Sequence, residues 1–177
     1  MSRTSATGSQ SDCCHHRQSE REKRRKRGLY DPHGYDAGKK IKGKKRHILV
    51  DTLGLLLSAV VHPANIQDRD GAGLVLDKRT RAMFPFIERI FADAAYRGAR
   101  ASLAAARSGD WIIEIVQRNE FHTFVVLPKR WIVERTIAWL NRCRRLAKDW
   151  ENLNRKALAF LRLASIRLML RKLCNPA

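Results

Sequence analysis

Two carboxylates in this chain stand where chemistry could be done. The run Ile90-Phe91-Ala92-Asp93-Ala94-Ala95-Tyr96-Arg97-Gly98 is apolar and β-forming until it stops at Asp93 and gives way to small residues. That pattern predicts a buried strand delivering one acid to the rim of a sheet. Further on, Pro128 ends the strand-like run from Phe121 to Leu127, and Arg130-Trp131-Ile132-Val133-Glu134-Arg135 follows. A helix starting there sets Arg130 and Glu134 four apart on one face. Taken singly, Asp93 reads equally well as a turn acid and Glu134 as an ion-pair partner of Arg130. Together, in so basic a chain, they suggest a hard-metal site acting on a polyanion.

The charge supports a polyanionic partner. Lys and Arg total 36 against 17 Asp and Glu, a formal charge of +19. Such an excess repels itself unless phosphates neutralise it, and nucleic acid is the partner that gains most from doing so. No segment approaches the ~20 apolar residues of a membrane helix, and the polar start is no signal peptide, so a cytoplasmic location is expected. The cysteines, Cys13, Cys14, Cys143 and Cys174, make no disulfide framework. Cys13-Cys14-His15-His16 lacks the ligand spacing of a zinc chelate.

Residues 1–30 have no apolar periodicity and include Lys23-Arg24-Arg25-Lys26-Arg27, which predicts a disordered basic arm. A domain is expected over 31–174. It opens on turn chemistry at Asp31–Gly38 and a cationic approach of Lys39, Lys40, Lys42, Lys44, Lys45 and Arg46. A hairpin follows, with strands at 47–51 and 55–62 about a turn at Thr52-Leu53-Gly54 in which Asp51 is a hairpin residue. The pattern then predicts a helix over 68–83 with Asp68 in its first turn, the Asp93 strand, a helix over 99–107, a strand over 111–116 and a helix over 129–150. In the last of these, Ile132, Thr136, Trp139, Leu140, Cys143, Leu146, Ala147 and Trp150 form the packed stripe, leaving Arg145 and Lys148 on an exposed cationic track. A final helix over 155–173, capped by Asn154, would pack on Ala159, Leu163, Ile166, Leu170 and Leu173. The fold class is α/β on a mixed sheet.

Three stretches carry a family resemblance: Gly34-Tyr35-Asp36-Ala37-Gly38-Lys39-Lys40-Ile41-Lys42-Gly43-Lys44-Lys45-Arg46-His47, Phe91-Ala92-Asp93-Ala94-Ala95-Tyr96, and Leu127-Pro128-Lys129-Arg130-Trp131-Ile132-Val133-Glu134-Arg135-Thr136. In this order they closely resemble bacterial insertion-sequence transposases of the DDE class, family five, over about residues 31–173. The resemblance implies a ribonuclease-H-like mixed sheet flanked by helices. It also implies two Asp and one Glu holding two Mg²⁺ ions for strand cleavage and transfer in DNA transposition. Asp93 matches the second catalytic and metal-binding Asp, Glu134 the Glu, and Arg130 an Arg contacting phosphate. Lys39, Lys40, Lys42, Lys44, Lys45, Arg46, Arg130, Arg135, Arg142 and Arg145 are the expected DNA contacts. The expected partners are DNA and, besides it, a second copy of the chain or an intact transposase.

The first Asp of the family pattern, on a strand of the type Ile-Asp-Ser-Gln-Ser-Val-Lys, is missing upstream of Gly34. Residues 14–23 can be back-translated so that a shifted frame reads Ala-Ile-Ile-Asp-Ser-Gln-Ser-Val-Lys, with the codon of Arg17 overlapping that of the Asp. The expectation is an amino-terminally truncated chain that is out of frame near its start and lacks its central strand. It would be impaired in folding and inactive in catalysis, and would retain nonspecific DNA binding. The competing reading is a nonenzymatic basic DNA-binding protein or a regulator of an intact transposase.

Overall fold

The computed structural model describes residues 3–10, 31–109, 111–116, 128–148 and 150–175. Six strands, β1 (Arg3–Gln10), β2 (Gly34–Asp36), β3 (Ile41–Asp51), β4 (Leu56–Pro63), β5 (Ile87–Ala92) and β6 (Ile112–Ile115), form one mixed sheet in the order β2-β3-β1-β5-β6, with β4 also paired to β3. The helices are α1 (Asp68–Val75), α2 (Lys78–Met83), α3 (Ala99–Gly109), α4 (Pro128–Asn141) and α5 (Asn154–Cys174).

The central position of this sheet is filled, contrary to the expectation of a missing strand. β1 pairs antiparallel with β3 from Ser5↔Asp51 to Gln10↔Arg46, and parallel with β5 through Ala6↔Phe91. Ala and Gly in this stretch are weak strand formers on their own, and Thr4 and Thr7 are its only β-branched residues. The backbone groups of β3 and β5 would otherwise face each other unpaired, and a ladder on both sides outweighs propensity. Residues 3–10 are thus a strand and not part of a basic arm, and the impaired folding inferred from an empty slot loses its basis. The rest of that predicted arm, residues 11–30, lies outside the described residues, as does the apolar run 121–127.

Alternation along β3 divides the core between the two faces. Ile48 and Val50 point to α4 and α5, in a cluster with Ala59, Phe91, Val133, Leu140, Leu146 and Leu161, whereas Leu49 packs with Val75, Leu76, Ile87, Ile90 and Trp111 on the other face. Three helix expectations need correction. The stretch 68–83 is two helices, because Asp77 turns out of the first and caps the second by accepting from the Thr80 amide at 2.7 Å. The helix over 129–150 stops at Asn141, and the chain turns so that Leu146 is buried and its carbonyl accepts from Arg46 Nη1 at 2.9 Å. Ala147 and Trp150 are exposed, not packed. In α5, Asn154 is the first helical residue, and its amide is satisfied by the Asp31 carboxylate at 2.5 Å.

Candidate functional site

Asp93 follows β5 directly. Its backbone stays extended at φ −77° and ψ 174°, and its side chain accepts from the Ala95 amide at 3.0 Å, starting the short 3-10 turn Ala94–Tyr96. Because the extended backbone continues, Asp93 lies two residues beyond Phe91 on the same face of the sheet, which is the face covered by α4. Glu134 sits on α4, exposed, next to the buried Val133 that shares a cluster with Phe91. One turn earlier on the same helix, Lys129 Nζ stands 3.4 Å above the Phe91 ring. The strand and the helix that carry the two acids therefore meet at Phe91. Arg130 is within α4, and its side chain lies outside the described residues.

In the sheet, β1 runs between β3 and β5, beside the strand that leads to Asp93. The β1–β5 pairing ends at Ala6↔Phe91, while β1 stays paired to β3 through Gly8↔Ile48, so Gly8 follows the last β5-paired residue of β1 by two positions, as Asp93 follows Phe91. Glycine adds no side-chain ligand to a metal-holding group. Among the described residues, no three His, Cys, Asp or Glu side chains gather as such a group. Sequence reasoning passed over Gly8 because residues 3–10 were assigned to a tail. The signal that could have found it is the string Gly8-Ser9-Gln10-Ser11, which repeats the Asp-Ser-Gln-Ser of the family pattern with Gly in place of Asp.

The expected DNA contacts divide sharply. Lys39, Lys40 and Lys42 are exposed around the β2–β3 turn, which Asp36 closes by accepting from the amides of Gly38 at 2.9 Å and Lys39 at 3.1 Å. Arg142 is exposed as well. Lys44 and Lys45 are not available to a phosphate, which corrects that part of the expectation. Lys44 is 3 % exposed and donates to the carbonyls of Glu151 at 2.8 Å and Asn152 at 3.1 Å, tying the α4–α5 connection to the sheet. Lys45, 4 % exposed, bonds the Ile66 carbonyl and pairs with Asp36 and Asp68. Both residues precede His47 in an alternating strand, but β3 is covered on both faces here, so each ammonium turns inward to an acceptor. Arg46, bonded to Leu146, is likewise engaged in holding the fold.

On α4, the Arg135 guanidinium lies between Trp131 and Trp139, 4.7 Å from each ring, and Nη2 donates to the Leu53 carbonyl at 3.3 Å. It clamps the hairpin turn. Arg145 pairs with Glu151 and covers Phe160, so the cationic track expected beyond Asn141 is replaced by a turn with internal contacts.

A polar cluster that the sequence did not advertise lies on the opposite face. His47 stacks on His62 with ring centroids 4.6 Å apart, and His47 Nδ1 meets Tyr96 Oη at 2.5 Å. Burial first, and then the neighbouring His62, push the His47 pKa down to about 3, and burial lowers that of His62.

Compared with known protein families, residues 8–169 match the transposase DDE domain. The chain belongs to that family, whose substrate is DNA and whose domains generally use divalent metal. No curated protein matched it. No helix among the described residues is long and apolar enough to cross a membrane.

Proposed function

We infer that this chain is an insertion-sequence transposase of family five with a ribonuclease-H-like core whose acidic site is one carboxylate short. It binds DNA through Lys39, Lys40, Lys42 and Arg142 and does not cut it. The sheet, with β3 and β4 antiparallel on one side of β1 and β5 and β6 parallel on the other, supports the ribonuclease-H-like reading. Asp93 and Glu134 are the two remaining acids of the family's Mg²⁺-binding set. Divalent metal supplies charge neutralisation and an activated oxygen nucleophile in such sites. Here the residues do not fit a complete metal pair. The observation that carries the reading is the β1–β5 register, which ends at Ala6↔Phe91 and, extended by two residues, sets Gly8, a residue with no side-chain ligand, level with Asp93.

Two measurements test it. Incubated with supercoiled plasmid and Mg²⁺, the chain is expected to leave the DNA intact, and Glu134→Ala to change nothing; Mg²⁺-dependent nicking lost in that variant would overturn the reading. Gly8→Asp should introduce a Mn²⁺ site detectable by electron paramagnetic resonance, and Asp93→Asn in the same chain should remove it. A Gly8→Asp protein that melts like the parent yet binds no Mn²⁺ would sink the assignment of Gly8. The out-of-frame account is the rival origin of the gap: it puts the lost Asp at the codon of Arg17 and not at Gly8, and it requires that codon to be CGA followed by C.

A further inference from the structure

Helix α5 has two apolar faces, and only one of them is used. Ala157, Leu161, Ala164 and Ser165 are buried against the sheet and α4. The stripe that the sequence predicted as the packing seam, Ala159, Leu163, Ile166, Leu170 and Leu173, lies on the outside instead. Leu163 is 60 % exposed, Ile166 50 %, Leu170 54 % and Leu173 76 %. The protein folds on the face that holds Ala157 and Ala164, whose small side chains let the helix approach β4 closely. The bulky face is left in water, where four large aliphatics in one row are costly.

The spacing of the outer row alternates four and three residues, the period of a coiled-coil seam. At 100° per residue the row spans only roughly 80° of the helix circumference. A lipid surface takes a broad apolar face, whereas a partner helix takes a narrow one. Charge selects the partner further. Residues 154–174 contain no Asp or Glu, and Arg155 and Arg162 border the row on one side, with Lys156 and Arg167 on the other. Among the described residues, none of these four pairs with a carboxylate. A second copy of the same helix would bring cations against cations along both edges, and the flanking charges of a coiled coil decide which partner is accepted. We propose that the outer face of α5 is a docking surface for an amphipathic helix with an apolar heptad seam and Glu or Asp at its flanking positions. The surface lies apart from Asp93 and Glu134 and stands or falls independently of them.

The test uses the whole chain and three labelled helical peptides in fluorescence anisotropy at physiological ionic strength. One peptide has a Leu heptad seam with Glu flanks, one has the same composition in scrambled order, and one has the Leu seam with Lys flanks. The first is expected to bind at least tenfold more tightly than either other. Leu163→Ser with Leu170→Ser should weaken it by about tenfold or more, and Arg155→Glu with Arg162→Glu should shift preference towards the Lys-flanked peptide. Equal binding of the ordered and scrambled peptides would overturn the proposal, since only net charge would then be recognised. It would also be overturned by unchanged binding in the serine variant, by a dimer in sedimentation that the serine variant dissociates, or by phosphatidylserine vesicles recruiting the chain through Leu163 and Leu170 when the peptide does not.

Discussion

Lys45 holds two carboxylates at once, Asp36 at 2.9 Å and Asp68 at 3.1 Å, and joins the β2–β3 turn to the start of α1. Burial opposes its charge, but the two acids outweigh burial and raise its pKa, while the bond from Lys45 is the main cause that lowers the pKa of Asp36. Lys45→Met leaves both acids without this partner in a nearly closed site. The variant is expected to lose on the order of 3 kcal/mol in urea unfolding, as when one partner of a buried pair is removed. The two histidines set a pH dependence whose sign is fixed by burial. Their folded pKa values lie below the unfolded value of about 6.5, so between that pH and about 3 the unfolded chain binds protons that the folded chain refuses. Stability is complete above about pH 6.5 and falls as pH drops through this window, by on the order of 4 kcal/mol for His47 alone. Asp36, also lowered, adds its loss only below the ordinary carboxylate range. Urea midpoints from neutral to mildly acid pH should show the decline, and a flat profile between pH 6.5 and 5 would contradict the buried pair.

At the scale of elements, the β3–β4 turn is what α4 and α5 grip. Thr136 Oγ1 donates to the Gly54 carbonyl at 2.9 Å, and Arg135 and Lys172 both donate to that of Leu53. Asp51 closes the turn from within by accepting from the amides of Leu53 and Leu55, the hairpin role its position suggested. Gly54 has φ +83°, and a Cβ there would lie 2.6 Å from Thr136 Oγ1. Gly54→Ala therefore combines a left-handed backbone with a clash and should destabilise by about 1–3 kcal/mol, whereas Thr52→Ala, one residue outside these contacts, should be near neutral. Comparison of their urea midpoints measures the difference. Glu134 immediately precedes Arg135 and Thr136, the two α4 residues of this grip.

For the whole molecule, the charge of +19 predicts that the proposed DNA binding is strongly salt-dependent, with unequal contributions expected from exposed and buried cations. Replacing Lys39, Lys40 and Lys42 together with Gln should reduce the slope of log K against log salt by about 2–3 on any duplex. Lys44→Met should lower stability and leave that slope unchanged, because its ammonium is bonded inside the fold. A slope reduced equally by both would mean that the exposed and buried lysines are not distinguished in solution.

The residue order alone determined the mixed α/β class, the hairpin, the strand ending at Asp93 and the helix bearing Glu134, because each rests on local periodicity and punctuation that a chain shows before it folds. The polyanionic partner followed equally from composition. Three things were settled only by tertiary contacts. A segment of weak strand propensity became β1 because two neighbouring strands needed partners, and that alone set Gly8 beside Ile48 of β3. Lys44 and Lys45 turned inward because acceptors waited there, which no count of cations can reveal. On α5, two apolar faces competed for one core, and the choice fell to the face whose small residues allowed close approach, leaving the larger row outside.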